Sequence, residues 1–210
     1  MLEEIEVLIH SSIRITGEQI VYVDPFRVEK EYHDADVICI THDHYDHFSP
    51  EDIRKVQKPD SVLIVPEKME QDAKKKLSEF GNRIRSVAPR DKLTIGSLML
   101  ETVPAYNNLK PFHPKSSGWV GYLLKQNGRC YYVAGDTDQN KDNETVSCDV
   151  ALVPVGGTYT MNPEKAALFV NKIHPRYAIP THYGSVVGPQ SAGDEFSKQV
   201  NPSIRTVLKL

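Results

Sequence analysis

The stretch from Thr41 to His47 holds the side chains of this sequence that are best suited to chemistry. His42, His44 and His47 lie within six residues of one another, together with the carboxylate of Asp46. Neutral imidazole and carboxylate groups are the ligands that zinc and similar divalent ions take. The cluster directly follows the apolar run 37–40, which predicts a loop at the end of a buried strand. The sequence therefore predicts a metal site at a sheet edge.

Three further places put a metal-capable side chain just after a predicted strand. Asp136 follows the run 131–134, His182 follows 177–180, and Asn107 with the later His113 follows 98–104. Strand ends of one polarity gather along one edge of a layered sheet, so residues far apart in sequence can converge there. With the first cluster, these places supply five histidines and two aspartates, which is enough for two metal ions.

Composition and charge limit the classes of function. The 210 residues are 40% hydrophobic and 25% charged, which is typical of a globular protein with a sizeable core. No Gly/Ser-rich linker divides the chain, so we expect one domain over residues 1–210. A net charge of −3 without a basic stripe argues against nucleic acid and anionic membranes as partners. A small-molecule substrate is the expected partner. Assembly of the chain into a homo-oligomer is compatible with the sequence.

The N-terminal segment and the cysteines bear on localisation. The segment 1–6 is acidic and lacks the apolar core of a signal peptide, and no apolar run approaches the ~18 residues of a membrane span. The three cysteines are odd in number and widely spaced, which suits a reducing compartment. We therefore expect a cytoplasmic protein.

Hydrophobic patterning predicts alternating strands and helices. Residues 5–15 are predicted as one strand that turns at 16–19 into a second strand. Ser49 and Asn162, each followed by proline, predict the N-caps of two helices. A longer helix is predicted from Pro66 to a stop at Gly81. The other predicted elements are strands at 35–40, 61–65, 98–103, 120–124, 129–133, 150–155, 177–180 and 204–210, and a helix at about 190–200.

A weak internal echo suggests two structurally similar halves. In each half a hairpin strand leads to an aspartate, Asp24 or Asp136. A buried strand that begins with Asp-Val follows twelve or thirteen residues later. The identity between the halves is too low to prove a repeat.

The motif His42-x-His44-x-Asp46-His47 resembles the signature of the metallo-β-lactamase-fold hydrolases. The Gly-Asp-Thr of 135–137 and the late His182 match the superfamily's later motifs. Through residues 10–12, 24–26, 160–164 and 181–183 the chain is similar to a short branch related to L-ascorbate-6-phosphate lactonase. The resemblance runs from residue 5 to about 185. It implies an α/β (α+β) fold, a four-layer αββα sandwich.

The resemblance also implies ligands for two metal ions. The implied set comprises His42, His44 and His113 for one ion, Asp46, His47 and His182 for the second, and Asp136 as the bridge between them. Asp46 and Asp136 are the predicted catalytic residues, since relatives suggest that Asp46 can accept a proton or orient the water. Zinc is the expected ion for so many imidazoles, although manganese or iron could occupy the same ligands.

One position departs from the family pattern. In relatives a histidine often follows the fourth strand directly, where this sequence has Asn107. His113 is therefore predicted as the ligand, with Asn107 as the alternative. His10 stays outside the predicted ligand set, either close to the metals or as a buried structural residue. Asp43 and Asp138 are predicted either to orient ligand imidazoles or to be exposed loop carboxylates.

These features predict a hydrolase that attacks an ester, lactone, amide or phosphodiester with metal-bound hydroxide. A nuclease of the same superfamily is one alternative, and the short chain and negative net charge disfavour it. A metal-binding sensor or scaffold without catalysis is the other alternative, and the asparagine at position 107 motivates it.

Overall fold

The computed structural model describes residues 2–210, whose strands form two mixed sheets. The first sheet has its six strands in chain order: β1 (Ile5–Ile9), β2 (Ser12–Ile15), β3 (Val21–Val23), β4 (Ala35–Cys39), β5 (Gln57–Pro66) and β6 (Ile84–Val87). The second sheet has seven strands, also in chain order: β7 (Lys92–Ile95), β8 (Leu98–Pro104), β9 (Val120–Gln126), β10 (Arg129–Val133), β11 (Val150–Pro154), β12 (Tyr177–Thr181) and β13 (Arg205–Thr206). The helices are α1 (Pro50–Val56), α2 (Glu70–Lys76), α3 (Pro163–Ile173) and α4 (Ala192–Gln199).

Three apolar clusters define the layers. The central cluster joins side chains of both sheets, such as Val37 of β4 and Leu152 of β11. A second cluster packs Phe169 of α3 and Phe196 of α4 on the outer face of the second sheet. A third packs Ile53 and its neighbours from α1 and α2 on the first sheet. The order helix, sheet, sheet, helix confirms the predicted four-layer αββα fold.

The two sheets repeat one strand pattern. In the first sheet β1, β2 and β3 are antiparallel neighbours, and β3 to β6 then run parallel. In the second sheet β7 to β10 are antiparallel, and β10 to β13 run parallel. The switch from antiparallel to parallel pairing comes at β3 and at β10, the strands that lead to Asp24 and Asp136. The internal echo in the sequence matches this shared topology.

The prediction of one strand over residues 5–15 was wrong. The chain reverses at His10 and Ser11, and β1 pairs with β2 with Ile5 opposite Ile15 and Ile9 opposite Ser12. His10 takes a positive φ of 54° in this turn. The reversal leaves the apolar alternation intact and uses none of the usual Asn-Gly or Asp-Gly turn residues. Periodicity alone therefore did not reveal it.

The prediction of a long helix from Pro66 to Gly81 was also wrong. The α-helical part is limited to α2, and short 3-10 turns flank it at Glu67–Met69 and Ser78–Arg83. Leu77 leaves helical geometry, with φ −131° and ψ 48°, and both Leu77 and Phe80 are buried. Burial of these two side chains gives the segment its apolar spacing without a continuous helix.

Other predicted elements agree with the structure or differ in extent. The two N-caps are confirmed: the Ser49 side chain accepts from the amide of Asp52, and that of Asn162 from the amide of Lys165. The strands β6 and β7 were not predicted, and the predicted strand at 204–210 is reduced to the two residues of β13. Across residues 2–210, none of the helices has the length and apolarity needed to cross a membrane.

Candidate metal centre

The structure brings all seven predicted metal ligands together at one edge of the sandwich. Together with His10 they form two groups of four, in which the ligand atoms of each group lie within 4.8 Å of one another. The first group contains His42, His44, His113 and Asp136, and the second contains His10, Asp46, His47 and His182. His10, which the sequence left outside the ligand set, is thus part of the second group.

Five strand ends supply these side chains, and His113 comes from the segment after β8. The loop after β4 carries the histidine cluster in a tight turn, in which the amides of His47 and Phe48 donate to the carbonyl of His44 at 3.0 and 2.8 Å. Asp136 follows β10, and His182 follows β12 with a positive φ of 60°. The turn between β1 and β2 carries His10. Within each sheet these strands run in the same direction, so their carboxyl ends lie along one edge, as the sequence predicted.

Hydrogen bonds join the two sheets beside the cluster. The amide of His182 donates to the carbonyl of His10 at 2.9 Å, and the amide of Val120 donates to the carbonyl of Thr41 at 3.2 Å. The Tyr122 hydroxyl donates to the carbonyl of Ile40 at 2.6 Å. These bonds fix the ligands of one sheet relative to those of the other.

Asp24 is a functional residue that the sequence did not identify as part of the site. It is 1% exposed, and it accepts hydrogen bonds from the Thr41 amide at 2.8 Å and the Thr41 hydroxyl at 2.6 Å. Its Oδ2 lies 2.7 Å from Nδ1 of His47. A carboxylate that accepts from Nδ1–H fixes the tautomer of the imidazole and directs Nε2 to the cluster. The internal echo, which pairs Asp24 with Asp136, was the signal that could have found it.

His10 contacts the carboxylate of Asp46. It is fully buried, and its Nε2 lies 3.1 Å from Oδ2 of Asp46. Its ring is 3.9 Å from the ring of His182, measured between centroids. The arrangement fixes the orientation of the Asp46 carboxylate.

The segment after β8 folds back so that His113 joins the first group. Nε2 of His113 lies 3.2 Å from Oδ2 of Asp136, and the imidazole is 2% exposed. Asn107 stabilises the loop, since its backbone N–H donates to the backbone carbonyl of His113 at 2.8 Å. Its Nδ2 donates to the carbonyls of Phe112 and Tyr159 at 3.0 and 2.7 Å. The geometry thus favours His113 over Asn107 as a ligand.

Asp43 and Asp138 were predicted either to orient ligand imidazoles or to be exposed loop carboxylates, and neither belongs to the two groups. Asp43 is exposed, and Asp138 pairs with Nζ of Lys110 at 2.7 Å. His33 and His174, the two histidines that belong to neither group, are exposed.

Burial and charge shift the pKa values of the cluster in opposite directions. Burial and the neighbouring His47 hold the pKa of His42 well below its ordinary value, and burial lowers the pKa of His10 to about 4. Burial opposes protonation of His182, but the carboxylates of Asp136 and Asp46 together outweigh it and raise the pKa of His182 to about 9. Burial also disfavours the carboxylate of Asp46, yet the hydrogen bond with His10 and the nearby imidazole of His182 hold its pKa below the ordinary value. The carboxylates of Asp46 and Asp136 are therefore ionised at neutral pH, whereas burial raises the pKa of Asp24.

Four buried atoms test whether the site fits metal ions. Nε2 of His47, His113 and His182 and Oδ1 of Asp136 have no hydrogen-bond partner among residues 2–210. A buried polar atom without a partner costs about 1–3 kcal/mol. All four atoms belong to the two groups, and imidazole nitrogen and carboxylate oxygen are ligands for divalent ions. The side chains present therefore fit a divalent metal.

A cleft of about 390 Å³ gives access to the cluster from solvent. Asp46, Asp136, His44, His113 and His182 contribute to its lining. The metal-capable side chains thus lie where a small molecule can reach them.

Comparison with known proteins places the chain in a family. The model of the beta-lactamase superfamily domain matches residues 4–182. A UPF0173 metal-dependent hydrolase of Pyrococcus abyssi is 27% identical over 219 residues, which cover 98% of this chain and 95% of the relative.

Solved structures share the fold. A crystal structure from Parabacteroides distasonis superposes with a TM-score of 0.83 at 29% identity, and covers 98% of this chain and 92% of that chain. Igni18, a metallo hydrolase of Ignicoccus hospitalis, superposes with a TM-score of 0.78 at 20% identity, over 97% of this chain and 93% of that chain. The chain belongs to the beta-lactamase superfamily domain family and has the metallo-β-lactamase fold.

Proposed function

We propose that this protein is a metal-dependent hydrolase that acts on a small molecule at a two-metal centre. The observation that carries the proposal is the convergence of unpartnered buried imidazole and carboxylate atoms below an open cleft. Relatives such as the Pyrococcus abyssi protein are named metal-dependent hydrolases, which supports the same conclusion. The kinship with the branch of L-ascorbate-6-phosphate lactonase rests on the short motifs at 10–12, 24–26 and 160–164, and is part of the proposal.

Zinc is the ion we propose, because five of the seven proposed ligands are histidines. His42, His44 and His113 would hold one ion, and Asp46, His47 and His182 the other, with Asp136 shared between them. Divalent ions bound there would lower the pKa of water and polarise the carbonyl or phosphoryl oxygen of the substrate. A cytoplasmic location is proposed from the cysteine pattern.

The residues of the chain then have distinct tasks. Asp46 lines the cleft as a carboxylate and can accept a proton from the attacking water. His10 orients that carboxylate through its contact with Oδ2. Asp24 orients His47 through its contact with Nδ1 of the imidazole. Asp136 would offset the repulsion between two cations bound close together by the two groups. Tight packing around these side chains preserves their geometry through the reaction.

The test combines metal analysis with an activity screen. We expect close to two ions per chain by plasma mass spectrometry, and turnover on at least one class among lactones, phosphodiesters, thioesters and acyl amides. Asp136→Asn removes the bridging charge at constant size, and should reduce turnover by more than 100-fold with a much smaller loss of folding stability. Asp43→Asn, which changes an exposed carboxylate in the loop after β4, is the control.

Two outcomes would overturn the proposal. Absence of bound metal would remove the chemistry on which it depends. Full metal content without turnover on any class would favour the sensor or scaffold alternative.

A further inference from the structure

The cleft above the metal centre has apolar walls. Tyr45, Phe112, Tyr159, Val186 and Val187 line it. The three aromatic residues are 67%, 42% and 38% exposed respectively, although large apolar side chains are usually covered. Three exposed aromatic rings around one concave site indicate a surface that binds an apolar group.

These walls are in position before any ligand arrives. Phe112 and Tyr159 meet edge to face with their ring centroids 4.9 Å apart, and Tyr45 packs edge-on against Phe26 at 6.1 Å. Nδ2 of Asn107 donates to the backbone carbonyls of Phe112 and Tyr159. Asn107 therefore ties two wall residues together, and this gives it a role other than metal binding. Walls that are already ordered lower the entropic cost of binding.

The charge of the cleft is the second observation. Within residues 2–210 its lining contains the carboxylates of Asp46 and Asp136 and neither lysine nor arginine. Lys110, two residues from Phe112, is held by Asp138 and by the carbonyl of Thr160. Proteins recognise a phosphate remote from the reacting bond mainly through arginine or lysine. The walls therefore offer no lysine or arginine to an anionic substituent.

We propose that the site takes an uncharged ester or lactone that carries an apolar group of aromatic or short-chain size. The substrate class rests on the proposed hydrolase function. In the reaction the oxygen of water bonds to the carbonyl carbon, the bond from that carbon to the alcohol oxygen breaks, and the alcohol oxygen takes a proton. The products are a carboxylic acid and an alcohol, and a ring-opened hydroxy acid in the case of a lactone. The cleft volume of about 390 Å³ suits such a molecule.

Matched 4-nitrophenyl esters test the substrate class on the metal-loaded protein. The butyrate should exceed the acetate in kcat/KM by about fifteenfold, since it has two more methylene groups and each contributes about fourfold when buried. The butyrate should also exceed the hemisuccinate, a chain of equal length that ends in a carboxylate, by at least about tenfold. A preference for the hemisuccinate would overturn the proposal while leaving the hydrolase function intact.

Wall variants test the assigned residues. Phe112→Ala and Tyr159→Ala should each reduce the preference for butyrate over acetate and leave metal content unchanged. Both side chains are partly exposed, so truncation should not unfold the protein. Met99→Ala is the control, since Met99 is 54% exposed near the start of β8 and lies at the far end of that strand from the site. An unchanged ester preference in both wall variants would contradict the assignment.

A binding measurement separates the substrate class from the activity. Saturation-transfer NMR with the metal-loaded protein should show binding of 2-naphthol, which is uncharged, and weaker binding of naphthalene-2-sulfonate. Phe112→Ala should abolish the 2-naphthol signal and Met99→Ala should preserve it. If no ester is hydrolysed but 2-naphthol binds in this pattern, the hydrolase function fails and the apolar cleft stands. Absence of 2-naphthol binding would overturn the apolar cleft whatever the activity.

Discussion

His47 lies between two aspartates that belong to different sheets. Oδ2 of Asp24 is 2.7 Å from its Nδ1, and Oδ1 of Asp136 is 3.4 Å from its Nε2. Asp24 follows β3 and Asp136 follows β10, the corresponding strands of the two halves. One half thus supplies the carboxylate that orients the imidazole, and the other supplies a carboxylate on the metal side. The same position in a repeated pattern has acquired two roles.

Asp24→Asn tests the orienting role. The amide can still accept from Thr41, but it no longer provides the charge that keeps the proton on Nδ1 of His47. Loss of such a partner typically costs 10- to 100-fold in metal affinity, so we expect about that loss for one ion. Competition with a fluorescent chelator measures it. The exposed Asp43→Asn serves as the control, and equal affinities in the two variants would show that Asp24 does not orient a ligand.

His47→Ala and His182→Ala test the second metal position. Each substitution removes a nitrogen ligand and leaves too few donors for a tetrahedral or five-coordinate site. Each variant should therefore lose one ion per chain in elemental analysis, while His33→Ala, at an exposed histidine, keeps the full content. Unchanged metal content in both variants would rule out these residues as ligands.

The strand ends were the most predictable elements, and the turns and irregular segments were the least. The buried strands before Thr41, Asp136 and His182 stand out in the sequence as short apolar runs, and their ends carry the ligands. The turn at His10 was missed because the apolar alternation continues through it. Because the reversal was not predicted, His10 was not predicted to lie beside Asp46. The two residues are 36 positions apart in sequence, and their contact depends on the reversal. Contacts of this kind depend on tertiary packing, which periodicity does not encode.

The loop after β8 carries His113, the proposed ligand, later in the chain than the family resemblance places it. Asn107 stands at that position, and His113 reaches the site six residues later. Hydrogen bonds from Asn107 hold the loop folded back towards the site. Its backbone N–H donates to the carbonyl of His113, and its Nδ2 donates to the carbonyls of Phe112 and Tyr159. The proposed ligand role and the structural role thus belong to two different residues.

His113→Ala and Asn107→Ala separate these two roles. His113→Ala should weaken the first ion strongly and leave the second bound, since it removes a nitrogen that lies 3.2 Å from Asp136. Asn107→Ala should have the smaller effect on metal affinity, because the ligand itself remains. Fluorescence of Trp119, the single tryptophan, reports the first ion, since its ring is 5.0 Å from those of His42 and His44. A larger loss of metal in Asn107→Ala than in His113→Ala would reverse the assignment.

At the scale of the whole molecule, the site lies where the two sheets are joined. The first sheet and its loops contribute His42, His44, Asp46 and His47, and the second sheet and its loops contribute His113, Asp136 and His182. Hydrogen bonds cross between the sheets at the same edge, from His182 to His10 and from Tyr122 to Ile40. Metal ions held by both groups would therefore link the halves. Binding should stabilise the folded state, because the unfolded chain lacks the assembled ligands.

Thermal unfolding with and without metal tests this link between the sheets. At free metal about 100-fold above the dissociation constant, one site adds about 2.7 kcal/mol to the free energy of unfolding. The melting temperature should rise with zinc and fall with a chelator, and the Asp136→Asn variant should show a smaller rise. Tyr122→Phe is the matched control, since it removes one hydrogen bond between the sheets, worth about 1 kcal/mol, and leaves the ligands in place. Tyr122→Phe should lower the melting temperature both with and without zinc. The rise in melting temperature that zinc causes should be the same as in the parent protein. An unchanged melting temperature of the parent protein on chelation, with the metal shown to be removed, would mean that the ions do not hold the halves together.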